Sequence, residues 1–228
     1  MIIKGLQKTS LIDYPPYTIS VIFVANCDFR CAFCQNPDLV NNAPNLKQYS
    51  QEEIIEFLSS RKKWLDGICI TGGEPLLYPG IIDFIKKIKE LNMKIKLDTN
   101  GNNSELLKKI IDDELVDYIA MDIKGPLNKY NEITKVNVNT EYIKSSIELI
   151  KNSNIEHEFR TTIIPDLNEE DIKKIGELLK GAKKFSIQQF RNTFKLLDES
   201  YNKQPYPEKK LKEFRKIMEG YVKKVEIK

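Results

Sequence analysis

From residue 18 onward the chain alternates two kinds of apolar pattern, and that alternation restricts its fold more than any other feature. Short runs rich in β-branched residues stand at 18–25 (TISVIFVA), 67–71 (GICIT), 93–99 (MKIKLDT), 116–123 (VDYIAMDI), 155–164 (IEHEFRTTII) and 184–190 (KFSIQQF). Between them apolar residues recur every three or four positions, as on one face of a helix. Examples are Ile81, Phe84, Ile85, Ile88 and Leu91; Leu106, Leu107, Ile110 and Ile111; and Ile172, Ile175, Leu178 and Leu179. Ser50 with Glu53 has the spacing of a capping box, and Ser104 and Asn168 stand where N-caps belong. Leu211, Phe214, Ile217 and Met218 predict a final helix over 207–219. A strand–helix unit repeated about six times predicts a parallel sheet, because parallel neighbours need a crossover segment between them. No Gly/Ser/Pro-rich linker interrupts it, so one domain over 1–228 is expected, with a core at about 18–190. Six units can form an open doubly wound sheet or curl into an incomplete barrel. Either way, ligands collect beyond the C-terminal ends of the strands.

Composition removes several classes of partner. The 36 basic and 33 acidic side chains nearly cancel, which gives no reason to expect nucleic acid or a membrane surface. The longest apolar run, Ile19 to Ala25, is broken by Ser20 and falls far short of the ~20 residues that cross a bilayer. The start, MIIKGLQKTSLIDYPP, lacks the apolar stretch of a secretory leader, so a cytoplasmic protein is expected. In that reducing compartment clustered cysteines are metal ligands more often than disulfides. The single histidine, His157, disfavours a His-rich metal site; it shares a strand face with Ile155 and Phe159 and reads as packing.

The unusual motifs all fall at strand ends. The first strand leads into Asn26-Cys27-Asp28-Phe29-Arg30-Cys31-Ala32-Phe33-Cys34, the second into Thr71-Gly72-Gly73-Glu74-Pro75, and the third into Asp98-Thr99-Asn100-Gly101. The fourth ends in Met121-Asp122-Ile123-Lys124, while the fifth and sixth carry Arg160 and Gln188-Gln189-Phe190-Arg191. In a strand–helix repeat these stretches converge on one mouth. A CxxxCxxC loop places three thiolates around one metal centre. A closed zinc site wants four ligands, and Cys69 lies inside the second strand with no histidine nearby. Cubane iron–sulfur clusters usually take four cysteines, so three leave one iron open to a non-protein ligand. Cys69 itself reads as a buried structural thiol.

CxxxCxxC with Phe33 before the last cysteine, followed by Gly72-Gly73-Glu74, resembles the radical S-adenosylmethionine (SAM) enzymes. KTSLIDYP, CQNPDLV, LDTNG, MDIKGP and QQFRN together resemble the glycyl-radical-enzyme activases, nearest to the short activating proteins of anaerobic ribonucleoside-triphosphate reductase, up to about residue 195. The resemblance implies an α/β fold, an incomplete (β/α)6 TIM-like barrel of parallel strands. It implies a [4Fe-4S] cluster with one iron on each of Cys27, Cys31 and Cys34, and SAM on the fourth. One electron, from a flavodoxin or ferredoxin, would break the sulfonium bond to C5′, releasing methionine and a 5′-deoxyadenosyl radical that takes hydrogen from a glycine of a partner enzyme.

Other roles follow by the same resemblance. Gly72 and Gly73 would let a ligand approach the backbone, Glu74 would accept from the cationic amino group of SAM, and Phe33 would pack on adenine. Asp98, Thr99, Asp122 and Lys124 match positions around the ribose and methionine end, where some relatives also hold a monovalent cation. Arg160 matches an activase arginine, and Asp13 a position near where the substrate glycine loop enters. Gln35 and Arg191 stand where relatives often carry histidine, which leaves the adenosine contacts open.

Plainer readings stand beside these. Gly72-Gly73 also suits a tight strand–helix turn, Asp98 and Asp122 suit polar strand ends, Arg160 suits an outer-face charge, and Trp64 suits helix packing. Four cysteines leave none for an eight-iron ferredoxin insert. Alternatives to the reductase activase are an activase of pyruvate formate-lyase or another glycyl-radical enzyme, and a small-molecule radical SAM enzyme such as a 7-carboxy-7-deazaguanine synthase. A simple electron carrier has no use for an open iron beside a GGE strand end. SLIDYP, LDTNG and DIK together favour the activases.

Overall fold

The computed structural model describes residues 1–193 and 195–228. One sheet runs in sequence order: β1 (Ile3–Ser10), β2 (Ile19–Val24), β3 (Gly67–Gly72), β4 (Lys94–Thr99), β5 (Tyr118–Asp122), β6 (Glu156–Ile163), β7 (Phe185–Gln189) and β8 (Val225–Ile227). Strands β2 to β8 pair in parallel, and β1 returns antiparallel along β2. Among the described residues no pairing joins β1 to β8, so the sheet is an incomplete barrel with one open side. The six expected strands are β2 to β7, each within two residues of its sequence bounds.

The crossovers carry α1 (Pro37–Val40), α2 (Gln51–Arg61), α3 (Ile81–Lys89), α4 (Ser104–Asp112), α5 (Tyr130–Thr134), α6 (Thr140–Asn152), α7 (Glu169–Leu178) and α8 (Glu208–Met218). The 3.6-residue period does what it promised on the long helices. Ile81, Phe84, Ile85 and Ile88 of α3 are fully buried against the sheet, each worth about 1.5–3 kcal/mol of transfer free energy. Ser50 and Glu53 form a reciprocal capping box on α2, and Asn168 with Asp171 another on α7. The cap of α4 is Asn103 rather than Ser104: Asn103 Oδ1 accepts from the Leu106 amide at 3.1 Å, and Ser104 is the first helical residue.

Two strands escaped the sequence pattern because they lie at the sheet edges. β1 mixes Lys4, Gly5, Gln7 and Lys8 and pairs with β2 through two register breaks, while β8 has only three residues. One expectation is corrected. Trp64 does not pack on a helix: the chain leaves α2 at Arg61, turns through Trp64, and exposes 74% of it. On β6, Phe159 and Ile163 point into the outer core while Arg160 and Thr162, between them in the alternation, line an interior cavity. The barrel interior is thus polar at the level where the motifs end, and no helix among the described residues is long and apolar enough to cross a membrane.

Candidate active site

The motif residues around the mouth line one cavity of about 440 Å³ at the C-terminal ends of β2 to β7. Cys27, Phe33, Cys31 and Cys34 come from the loop after β2; Gly72 from the end of β3, with Gly73 and Glu74 just beyond it; Asp98 and Thr99 from β4; Asp122 from the end of β5, with Lys124 just beyond it; Arg160 from β6; and Arg191 from just beyond β7. Parallel strands force this convergence, since each strand delivers its last residues to the same end.

The cysteine loop is bent early. Asn26 takes a left-handed φ of 60°, its Nδ2 donates to Tyr78 Oη at 3.0 Å, and Tyr78 Oη donates to the Ala25 carbonyl at 2.9 Å. A further turn follows, in which the Cys34 amide donates to the Cys31 carbonyl at 3.0 Å. All four cysteines are free thiols. Among the described residues no three His, Cys, Asp or Glu side chains close on a single ion. A cubane takes one cysteine per iron, so three cysteines from one loop fit a cluster with one iron left open, whereas a closed zinc site wants a fourth ligand. Burial pushes the Cys27 thiol up to about 12 and the Cys31 thiol up to about 11; iron binding has to displace those protons.

The two glycines serve the backbone more than the ligand. A Cβ on Gly73 would sit 1.8 Å from the Asn26 carbonyl oxygen, and one on Gly72, at φ +120°, would sit 2.5 Å from the Val24 nitrogen. Only Gly lets β3 press against the turn that leads to Cys27. Next in the chain, Glu74 is 2% exposed and accepts three hydrogen bonds: from the Leu76 amide at 3.0 Å, Thr99 Oγ1 at 2.7 Å and the Asn100 amide at 2.7 Å. Its carboxylate therefore ties the end of β3 to the end of β4 and keeps about one lone-pair position free. Burial raises its pKa to about 8, against the pull of those donors.

Across β4, β5 and β6 runs a chain of alternating charge. Lys96 Nζ reaches Asp98 Oδ1 at 2.6 Å, Arg160 Nη1 reaches Asp98 Oδ2 at 3.1 Å, Arg160 Nε reaches Asp122 Oδ1 at 2.8 Å, and Lys124 Nζ reaches Asp122 Oδ2 at 3.1 Å. Arg160 is therefore an inner-face residue, in direct register with Asp122. Each carboxylate oxygen of the two aspartates faces a side-chain cation, and the three cations leave one positive charge uncompensated. Despite the cost of burial, Arg160 with Lys96 holds the Asp98 carboxyl below the usual range, Arg160 with Lys124 holds that of Asp122 well below it, and Asp122 holds Lys124 above its own.

Several contacts had no sequence signal strong enough to find. Lys96 is 3% exposed, with its amine 3.8 Å from Cys69 Sγ; a lysine between Ile95 and Leu97 is a hint only once the inner face is known. Cys69 is buried, as expected, in a cluster with Tyr14, Ile19 and Val21. Beyond residue 195, Leu197 and Asp198 donate backbone hydrogen bonds to the Cys34 and Ala32 carbonyls at 2.9 and 3.1 Å, and Tyr201 packs beside Phe33 and Phe190. Leu197, Asp198 and Tyr201 thus strap the cysteine loop from beyond β7. Gln35 and Arg191, the two departures from the resemblance, meet: Gln35 Nε2 donates to the Arg191 carbonyl at 3.0 Å. Asp13 lies elsewhere, in the turn after β1, bonded to Ser10 and lining a second cavity of about 510 Å³ that shares Lys228 with the first. His157 is buried with Nδ1 on the Ile155 carbonyl at 3.1 Å, away from the cysteine loop.

Residues 21–179 match the family model of the Radical SAM superfamily. The "Putative glycyl-radical enzyme activating enzyme" of Methanocaldococcus jannaschii is 35% identical over 99% of this chain and 95% of its own. The "Pyruvate formate-lyase-activating enzyme" of Clostridium pasteurianum is 29% identical over 79% of this chain and 77% of its own. In fold alone, SuiB of Streptococcus suis bound to SAM superposes with a TM-score of 0.70 at 15% identity, covering 92% of this chain and 49% of that one. The chain belongs to the radical SAM superfamily, whose members use a [4Fe-4S] cluster and SAM, and within it to the glycyl-radical-enzyme activating enzymes.

Proposed function

We propose that this chain, acting in the cytoplasm as one domain over 1–228, generates a glycyl radical on anaerobic ribonucleoside-triphosphate reductase. The observation that supports it is the convergence of three cysteines from one loop with the Glu74, Asp98, Asp122 and Arg160 strand ends in a single cavity. Its ~440 Å³ falls in the range of small-molecule sites. Cys27, Cys31 and Cys34 would each hold one iron, and the cofactors would supply, on receipt of one electron from a flavodoxin or ferredoxin, methionine and a 5′-deoxyadenosyl radical.

The chain's own groups do the rest. Glu74 offers its remaining lone pair to the amino group of SAM, in surroundings dry enough to strengthen that contact. The uncompensated positive charge on the Lys96–Asp98–Arg160–Asp122–Lys124 chain receives the methionine carboxylate. Asp98 and Asp122 orient the ribose side, Thr99 is spent on Glu74 and fixes that carboxylate, Phe33 covers adenine, and Arg191 with Gln35 closes the adenosine side. The open edge between β1 and β8 suits a substrate that is a loop of another protein. The hydrogen lost from the glycine Cα would end on 5′-deoxyadenosine, so the radical would be conserved and stored on the partner.

Anaerobically reconstituted protein should carry about four irons, and Cys31→Ala should lose them. Reduced protein with SAM should release 5′-deoxyadenosine. A full cluster in the Cys31→Ala variant, or no 5′-deoxyadenosine with a competent reductant, defeats the proposal.

A further inference from the structure

Asn100 joins the cysteine loop to the strand that carries Glu74. It follows β4 directly and is 5% exposed. Its backbone N–H donates to Glu74 Oε2 at 2.7 Å, and its Oδ1 accepts from the Asn102 amide at 2.9 Å. That second bond orients the carboxamide so that Nδ2 points at the cysteine loop. There Nδ2 donates to Asp28 Oδ1 at 2.7 Å and stands 3.9 Å from Cys27 Sγ. Asn102 Nδ2 takes the other oxygen, Asp28 Oδ2, at 2.7 Å. Asp28 is the neighbour of Cys27, and both of its oxygens are gripped by carboxamides from the β4 loop.

We propose that Asn100 is a positioning residue for the Cys27 thiolate, holding it through Asp28 and lending it a hydrogen bond from Nδ2. The inference rests on the reading of Cys27 as a cluster ligand. Once the thiol proton is displaced by iron, the sulfur becomes an acceptor. Two N–H groups then flank it: the Phe29 amide at 3.4 Å and Asn100 Nδ2. Hydrogen bonds to cluster sulfurs stabilise the more negative, reduced form and so raise the reduction potential. The carboxylate of Asp28 works in the opposite sense, and Asn100 shares its amide between the two. Because the same residue grips Glu74 through its backbone, it also sets how far Cys27 stands from the group assigned to the amino end of SAM. A change at Asn100 should therefore reach both the cluster and the carboxylate beside it.

The test compares wild type, Asn100→Leu and Asp28→Asn, all reconstituted anaerobically. Leucine keeps the volume and removes the donor without adding charge. The midpoint potential of the cluster is read by dye-mediated titration with the reduced-cluster electron paramagnetic resonance (EPR) signal, alongside iron content and thermal melting of the cluster-free chain. Asn100→Leu should move the potential to a more negative value in whatever fraction is loaded, and Asp28→Asn should move it to a more positive one. A residue that merely held the loop in place would change melting and loading and leave the potential of loaded protein alone. A wild-type or more positive potential in Asn100→Leu overturns the proposal. Should that variant hold no cluster, Asp28→Asn decides, and an unchanged or more negative potential overturns it. Failure of the ligand reading looks different: wild type that binds no cluster, or Cys31→Ala that keeps one.

Discussion

Arg160→Met removes the central cation of the buried charge chain and leaves Asp98 and Asp122 facing each other with one lysine each. Breaking a buried ion pair costs about 3–5 kcal/mol, because the remaining charge keeps its desolvation penalty. The side chains here are 13%, 12% and 28% exposed for Arg160, Asp98 and Asp122, and each aspartate retains a partner, so the lower end, about 3 kcal/mol, is expected. With a urea m-value of about 3 kcal/mol/M for a chain of this size, the denaturation midpoint of cluster-free protein should fall by ~1 M at pH 7. Arg160→Lys should recover little of it, since an ammonium cannot span both carboxylates as the guanidinium does. The pH dependence has a definite sign. Both carboxyls are held below the usual carboxylate range in the folded state, so the unfolded chain takes up protons first. The stability they contribute is present above the unfolded pKa of about 4 and is lost as pH falls through and below it. The gap between wild type and Arg160→Met should narrow over that window. A loss under about 1 kcal/mol at pH 7, the value of an exposed pair, or a gap that widens with acid, would mean that Arg160 is not a buried bridge between the two aspartates.

Gly73→Ala and Gly80→Ala make a matched pair. A Cβ at Gly73 stands 1.6 Å inside the 3.4 Å of ordinary contact with the Asn26 carbonyl, whereas nothing lies within 4 Å at Gly80. The first should cost about 3 kcal/mol and lower iron loading because Cys27 follows the displaced residue; the second should be within about 0.5 kcal/mol of wild type, both by urea melts and iron assay. Trp64→Ser should also stay within about 0.5 kcal/mol, and a larger loss by the same melts would mean that the exposed ring packs on something in solution.

The strand–helix alternation was legible because a parallel strand buried on both faces leaves a short, near-continuous apolar run, whereas an amphipathic helix leaves a period of 3.6. Edge strands leave neither, which is why β1 and β8 went unread. The site was legible where chemistry demands an unusual residue type: three cysteines at fixed spacing, paired glycines, carboxylates at strand ends. What stayed hidden depends on partners far apart in sequence. Glu74 was assigned to SAM alone, yet it first ties β3 to β4, and of the two readings of Gly72 and Gly73, ligand approach and a tight turn, backbone contact with Val24 and Asn26 favours the second. Arg160 has the same alternation whether it faces in or out, and only its register with Asp122 decides. The strap through Leu197, Asp198 and Tyr201 lies past the residues that carry the resemblance and forms by backbone hydrogen bonds, which side-chain patterns do not record.

If the chain acts as proposed, its site turns one electron and one SAM into a glycyl radical on a partner. That conversion is tested most directly by EPR on the reconstituted, reduced protein mixed anaerobically with SAM and anaerobic ribonucleoside-triphosphate reductase, with pyruvate formate-lyase in a parallel sample. The reductase should gain a doublet glycyl signal that requires SAM and disappears with Cys31→Ala. A doublet on pyruvate formate-lyase alone would contradict the choice of partner, and no glycyl signal on either, while 5′-deoxyadenosine accumulates, would contradict the claim that its substrate is one of these enzymes.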